Sequence, residues 1–207
     1  MNFYEKLMIY LKHIDIKTLE KQLQLLKNNH ELSSNHSVAI CLLHSYINPT
    51  HENIVRDIIK YYFPMVNISL SHEISPLIRE YERMSTTICN SYIQPLANEY
   101  INNIENHLKI NKYKSPLRLM LSSGGITSTN IAKKYPVRLI ESGPAAGTLA
   151  AAHLGSKSGF KDLLSFDMGG TTAKMCIISN GKPNLTSNFE VARLEKFKKG
   201  SGLPINI

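Results

Sequence analysis

The 207-residue sequence predicts an α/β fold in two parts, separated by a long helical segment. Three observations carry this prediction. A β-α-β succession fills the first 70 residues, a helical pattern spans 76–110, and strand-like and helix-like stretches alternate again from residue 117 onward.

Each element follows from its residues. Leu19, Leu23, Leu25 and Leu26 give 17–28 an apolar helix face. Val38 to Leu43 is a continuous apolar run, as in a strand of a buried parallel sheet. Asn48-Pro49-Thr50 opens a helix carrying Ile54, Val55, Ile58, Ile59 and Tyr62, and Val66 to Leu70 is the next strand. In 76–110 the apolar positions are Ile88, Tyr92, Ile93, Leu96, Tyr100, Ile101, Ile104 and Leu108, with a break expected at Pro95. Leu117 to Leu121 reads as a strand running into Ser122-Ser123-Gly124-Gly125. Ser128 caps a short helix ending before Pro136, and Val137 to Ile140 leads into a further helix. The segment 2–15 is amphipathic, with no signal-peptide cleavage pattern after it.

Composition narrows the function classes. An apolar content of 43% suffices for one or two α/β domains. The formal charge is +8, but the lysines are scattered. The densest basic cluster, Arg193, Lys196, Lys198 and Lys199, has one aromatic neighbour, Phe197, so no nucleic-acid partner is expected. No run of 18 apolar residues occurs, and no membrane span is expected. Cys41, Cys89 and Cys176 are odd in number and widely spaced; they read as reduced core residues of a cytoplasmic protein.

Chemistry concentrates in 166–178. Leu163, Leu164 and Phe166 read as a buried strand that delivers Asp167 to a tight Gly169-Gly170 turn, and Met175 to Ile178 leaves it. Glycines let backbone N–H groups approach phosphate oxygens, Thr171 and Thr172 add hydroxyls, and a strand-end carboxylate can hold hydrated Mg²⁺. An ordinary β-hairpin is the alternative. The loop has neither the G-K-[ST] ending of a P-loop nor a dinucleotide-binding glycine pattern. Upstream, Glu141-Ser142-Gly143-Pro144-Ala145-Ala146-Gly147 opens a helix of small residues, with Ser142 as N-cap and Gly155 as its end. Such a helix lets another backbone pack closely.

Three further groups are weaker candidates. His44, His51 and His72 match no metal-ligand spacing. Glu73, Arg79, Glu80, Glu82 and Arg83 form a charged run, in which Arg79 with Arg83, and Glu73 with Glu80, are expected to join corner-fixing salt bridges. Ser123, Gly124 and Gly125, at a strand end, are candidates for nucleotide or substrate contact.

The small-residue helix followed by D-x-G-G-T resembles the connect-1 and phosphate-2 elements of the actin-like ATPase superfamily, with its ribonuclease H-like fold. ESGPAAG, SFDMGGTTAK and FEVARLEKFKKGSGLPI look more specifically like the hydantoinase A/5-oxoprolinase family. Cys41 to Tyr46, Asn48 to Glu52, Ser71 to Pro76, Arg79 to Arg83, Ser85 to Thr87 and Ser122 to Gly125 resemble further signatures of it. The resemblance implies an internal piece of an ATP-dependent enzyme that opens a cyclic amide, hydantoin or 5-oxoproline. Related members are ATP-binding subunits of acetone-type carboxylases, and a non-catalytic truncated remnant is the remaining alternative. In that scheme Asp167 holds Mg²⁺ through water, while Gly169, Gly170, Thr171 and Thr172 cradle the phosphates of ATP. The helix Gly143 to Ala151 is the hinge where two lobes cross, and a hydantoinase B-type subunit is the partner. Residues 1–84 would end the family's N-terminal domain and 85–207 would begin its hydantoinase A domain. The phosphate-1 loop and the adenosine segment have no match. Many relatives carry Asp where this chain has Lys174, and a lysine there implies a cation for phosphate.

Overall fold

The computed structural model describes residues 14–29, 36–170, 172–186, 188–195, 198 and 200–207. Most of the amphipathic segment 2–15, Thr171 of the glycine turn, and Lys196, Phe197 and Lys199 of the basic cluster lie outside the described residues.

The first α/β part is the one the apolar pattern predicts. Helix α1 (Ile16–Asn28) starts at Asp15, whose carboxylate caps the Thr18 amide at 3.1 Å. Strand β1 (Ser37–Ile40), helix α2 (Thr50–Tyr62) and strand β2 (Asn67–Leu70) follow, with β1 and β2 parallel. Leu23, Ile40, Ile59, Phe63, Val66 and Leu70 form their shared core. Helix α3 (Ser71–Ile74) turns directly off β2.

Helix α4 (Glu80–Ile110) is continuous over 31 residues, with Pro95 inside it, so the expected break does not occur. Its faces also differ from expectation. Ile88, Tyr92, Leu96 and Tyr100 are exposed, whereas Arg83, Ser85, Thr86, Thr87, Asn90, Ser91 and Gln94 are buried. The reason lies in what the helix packs on. Its neighbours present unpaired backbone groups, and polar side chains satisfy them. Asn90 accepts from the Val137 amide at 3.2 Å and donates to Ser69 Oγ at 3.0 Å. Thr86 Oγ1 accepts from the Asn206 amide at 3.0 Å, and Ser85 donates to the Pro204 carbonyl.

The second part starts with strands β3 (Arg118–Met120) and β4 (Ile126–Ser128), an antiparallel hairpin joined through Ser122–Gly125. Ser128 caps helix α5 (Thr129–Lys134), as expected, and a 3-10 turn covers Pro136–Leu139. Helix α6 (Ser142–Lys157) precedes strands β5 (Leu163–Met168), β6 (Ala173–Ser179) and β7 (Lys182–Pro183), which form one antiparallel sheet. Strands β8 (Asn188–Val191) and β9 (Leu203–Asn206) pair antiparallel, and β9 lies along α4.

Two expectations fail in this half, and a third finds no partner among the described residues. Leu164 and Phe166 are exposed, because β5 is half of a hairpin with one face covered by α6 and the other open. Helix α6 is capped at Glu141 by no side chain, and it runs past Gly155 to Lys157. Gly147 is exposed, and a Cβ at Gly143 or Gly147 would meet nothing within 4 Å, so no crossing backbone occupies that face among the described residues. The tight contact lies instead at Gly155, where a Cβ would overlap the Leu163 side chain.

Gly155→Val should therefore destabilise the chain by about 1–3 kcal/mol through overpacking. Gly147→Ala should be neutral or stabilising by up to about 1 kcal/mol, from helix propensity alone. Denaturant unfolding of both variants checks this; equal losses would place both glycines in tight packing.

Candidate functional site

Two groups of polar side chains stand out. The first lies in the second part of the chain. Gly169 N–H donates to the Thr172 carbonyl at 3.0 Å, closing a four-residue turn between β5 and β6. The segment is thus a hairpin, and Asp167 stands opposite Lys174 in its ladder. Gly169 and Gly170 do not have positive φ, and a Cβ on either would meet nothing within 4 Å. Neither backbone strain nor protein packing demands glycine at these positions. Both leave the turn's backbone open to a ligand.

Alternation along the strands puts Leu163, Ser165 and Asp167 on the face that carries Ile178, Cys176 and Lys174. That face packs on α6, through Leu163 against Gly155 and through the Thr148 hydroxyl, 3.4 Å from Ser165 Oγ. The two motifs meet at Lys174 and Glu141. Lys174 Nζ lies 2.8 Å from Glu141 Oε1 and 5.6 Å from the Phe189 ring centroid. Glu141 sits immediately before α6 in the left-handed region, at φ 63°. The pair is partly exposed, so it contributes about 1 kcal/mol or less. It brings the N-terminal end of a 16-residue helix, where the dipole favours anions, beside the strands that carry Asp167 and Lys174.

Ser122–Gly125 is a tight turn. The Gly124 amide donates to the Leu121 carbonyl at 2.9 Å, and Ser122 Oγ donates to the Arg138 carbonyl at 3.0 Å. Gly124 has φ +85°, and a Cβ there would come 2.7 Å from Leu149 on α6. Backbone conformation and packing therefore both require that glycine. Ser123 and Gly125 remain exposed.

The second group lies at the carboxyl ends of the parallel strands. Glu52 of α2 is fully buried and accepts four hydrogen bonds. Oε1 takes the Leu42 amide at 2.9 Å and the Ser71 hydroxyl at 2.5 Å; Oε2 takes the His72 amide at 3.1 Å and His72 Nδ1 at 2.7 Å. Arg83 of α4, also fully buried, donates Nε–H to Ser71 Oγ at 3.1 Å. Its two Nη groups donate to the carbonyls of Leu77 and Leu42, each at 2.8 Å. Its guanidinium carbon stands 5.4 Å from the Tyr46 ring centroid. Ser71 thus bridges a carboxylate and a guanidinium inside the protein.

Sequence reasoning placed Arg83 in a corner-fixing salt bridge and named Glu52 only within the Asn48 to Glu52 signature. Arg79 pairs instead with Glu82 at 3.4 Å, and Glu73 with Lys134 at 2.8 Å. The available signal was Glu52 itself, an acidic residue opening a helix just after a parallel strand. Burial pushes the Glu52 pKa up, but the bonds from Ser71, Leu42 and His72 outweigh it and hold the carboxyl below its ordinary value. Burial raises the Cys89 thiol. The three cysteines are free and half-buried. Among the described residues, no three His, Cys, Asp or Glu side chains gather as a metal centre.

A family profile described as Hydantoinase/oxoprolinase matches residues 83–205, and the Hydantoinase/oxoprolinase N-terminal region matches 6–63. An uncharacterized protein of Methanocaldococcus jannaschii is 42% identical over 171 residues, 81% of this chain and 25% of that protein. Caprolactamase subunit alpha of Pseudomonas jessenii is 31% identical over 76% of this chain and 23% of its own length. The nucleotide-free structure of acetone carboxylase, from work on ATP-dependent acetone carboxylation, aligns with TM-score 0.74 and 28% identity. It covers 93% of this chain and 26% of that one. The chain spans about a quarter of the length of these relatives.

Because the folded-state pKa of Glu52 is depressed, its ionisation stabilises the fold fully above the unfolded value of about 4.3 and progressively less as pH falls through the folded value. Wild-type stability should therefore drop more steeply below about pH 4.3 than that of Glu52→Gln, itself less stable at neutral pH. Urea midpoints between acid and neutral pH measure this, and parallel curves would remove the buried carboxylate from the account.

Proposed function

The chain belongs to the hydantoinase/oxoprolinase family, and on that premise we propose that it forms the phosphate-loop portion of an ATP-dependent enzyme that opens a cyclic amide, hydantoin or 5-oxoproline. The single observation that carries this reading is the turn after Asp167: two glycines that neither strain nor packing requires, opening bare backbone beside a carboxylate and a helix N-terminus. Residues 1–84 supply the end of the family's N-terminal domain in this reading, and 85–207 the start of the hydantoinase A domain.

A lactam or imide carbonyl resists water because its nitrogen is a poor leaving group and its oxygen a weak one. ATP supplies a phosphoryl group that converts the amide oxygen into a leaving group, and catalysis then rests on positioning and charge neutralisation. Backbone N–H groups at Gly169 and Gly170, with the hydroxyls of Thr171 and Thr172, cradle the phosphates. Asp167 would hold hydrated Mg²⁺, and its place on an exposed strand end suits such an ion. Lys174 is already paired with Glu141, so its contact with phosphate requires the ammonium to exchange one anion for another. Ser123 and Gly125, exposed on the neighbouring hairpin, are the remaining candidates for nucleotide or substrate contact.

A second reading, the ATP-binding subunit of an acetone-type carboxylase, draws on the likeness to acetone carboxylase. There the same phosphate grip would serve phosphorylation of an enol. A B-type partner subunit fits either reading, since caprolactamase alpha is named as a subunit.

Asp167→Asn in the full-length enzyme should lower ATP hydrolysis by a factor on the order of a hundred or more, with the fold intact by circular dichroism. Undiminished hydrolysis in the folded variant would sink the phosphate-loop assignment.

A further inference from the structure

The buried carboxylate does more than balance charge; it fixes one ring. The ionised carboxylate of Glu52 can only accept, so the 2.7 Å contact makes His72 Nδ1 the donor. An imidazole whose Nδ1 carries the proton has its lone pair on Nε2. Among the described residues Nε2 has no protein partner. It is not one of the buried orphan atoms, and the side chain is 16% exposed, so this nitrogen meets solvent. Its lone pair is neither spent on the fold nor shielded.

Its place in the topology adds to this. His72 is the second residue after β2, and the loop after β1 holds His44 in the left-handed region at φ 57°. The loop after β1 and helix α3 after β2 both leave the carboxyl ends of a parallel pair, where open α/β sheets bind ligands. Proton positions around the ring are determined throughout. The Ser71 hydroxyl is given to Glu52, so its oxygen accepts from Arg83 and from the Ser45 hydroxyl at 2.9 Å. The charged groups on the surrounding elements are Glu52 on α2, Arg83 on α4, and Glu73, the next residue of α3, itself held by Lys134 of α5. Among the described residues no cation bonds the ring, and the anion bonded to it sits on Nδ1.

The geometry points to His72 as a hydrogen-bond-accepting site for the N–H of a small cyclic amide bound at the carboxyl edge of β1 and β2. The substrate class rests on the functional reading above; the fixed tautomer does not. Nε2 accepts a hydrogen bond from the amide N–H, which orients the ring; the proton stays on the amide nitrogen, because an amide N–H is far too weak an acid for a neutral imidazole to remove.

The test uses this chain, ¹⁵N-labelled on histidine, at about pH 8.5, roughly two units above the ordinary imidazole value. Long-range ¹⁵N–¹H correlation should show His72 with a protonated Nδ1 and a bare Nε2. Titration with 2-pyrrolidinone over the millimolar range should move the Nε2 resonance, and N-methyl-2-pyrrolidinone, which lacks the N–H, should leave it unmoved. A proton on Nε2 would overturn the fixed tautomer. No shift with either lactam, or equal shifts with both, would overturn the lactam site while leaving the tautomer standing. Neither result bears on ATP hydrolysis, so failure here is distinguishable from failure of the phosphate-loop reading. The wild-type spectrum needs no variant to fold; where Glu52→Gln folds, its His72 should show a mixture of tautomers.

Discussion

A carboxylate and a guanidinium, both fully buried and joined through one serine hydroxyl, constrain the first half of this molecule more than any other contact. Glu52 comes from α2, Ser71 from the start of α3, and Arg83 from α4; the backbone of Leu42, after β1, bonds to both charges. Each charge alone would cost several kcal/mol to bury. Together their attraction and eight hydrogen bonds among the named groups offset that cost, counted as four to Glu52, three from Arg83 and one from Ser45. Removing one partner leaves the other unpaired. The arrangement thus fixes where α4 begins relative to the parallel strands, and the rest of α4 extends from that point.

From that anchor α4 acts as a polar spine. Most long helices present an apolar stripe inward, but this one meets strand edges and a 3-10 turn whose amides and carbonyls need partners. Thr86 and Ser85 serve β9, and Asn90 serves β2 and the 3-10 turn. The apolar residues Ile88, Tyr92, Leu96 and Tyr100 consequently face outward. Beyond the spine, α6 and the β5–β6 hairpin join by small-residue packing at Gly155 and by the Glu141–Lys174 pair, which sets the glycine turn beside a helix N-terminus.

Much of this was legible in the sequence. The β-α-β unit was, because Val38 to Leu43 and Val66 to Leu70 are short apolar runs around an amphipathic helix, and local pattern and tertiary packing agree there. The extent of the helical segment was legible, but neither the continuity of α4 through Pro95 nor its orientation was. Apolar periodicity assumes an apolar neighbour, and Ser85, Thr86 and Asn90 read as solvent-facing unless their backbone partners are known. The residues of the glycine turn were legible as a motif, and only the structure shows that Gly169 and Gly170 face open space while Gly124 is held by Leu149. Lys174 read as a free cation because Glu141, 33 positions away, gives no local signal. The Glu52–His72 pair was missed for the same reason, its members being 20 residues apart.

The central claim is that Glu52 and Arg83 act as one unit through Ser71. A double-mutant cycle with Glu52→Gln, Arg83→Met and the pair, read by urea unfolding at neutral pH, tests it most directly. The account predicts a coupling energy of about 2 kcal/mol or more, with the double variant more stable than the two single losses imply. Losses that add to within about 0.5 kcal/mol would contradict it, and would make the two charges independent tenants of the same core.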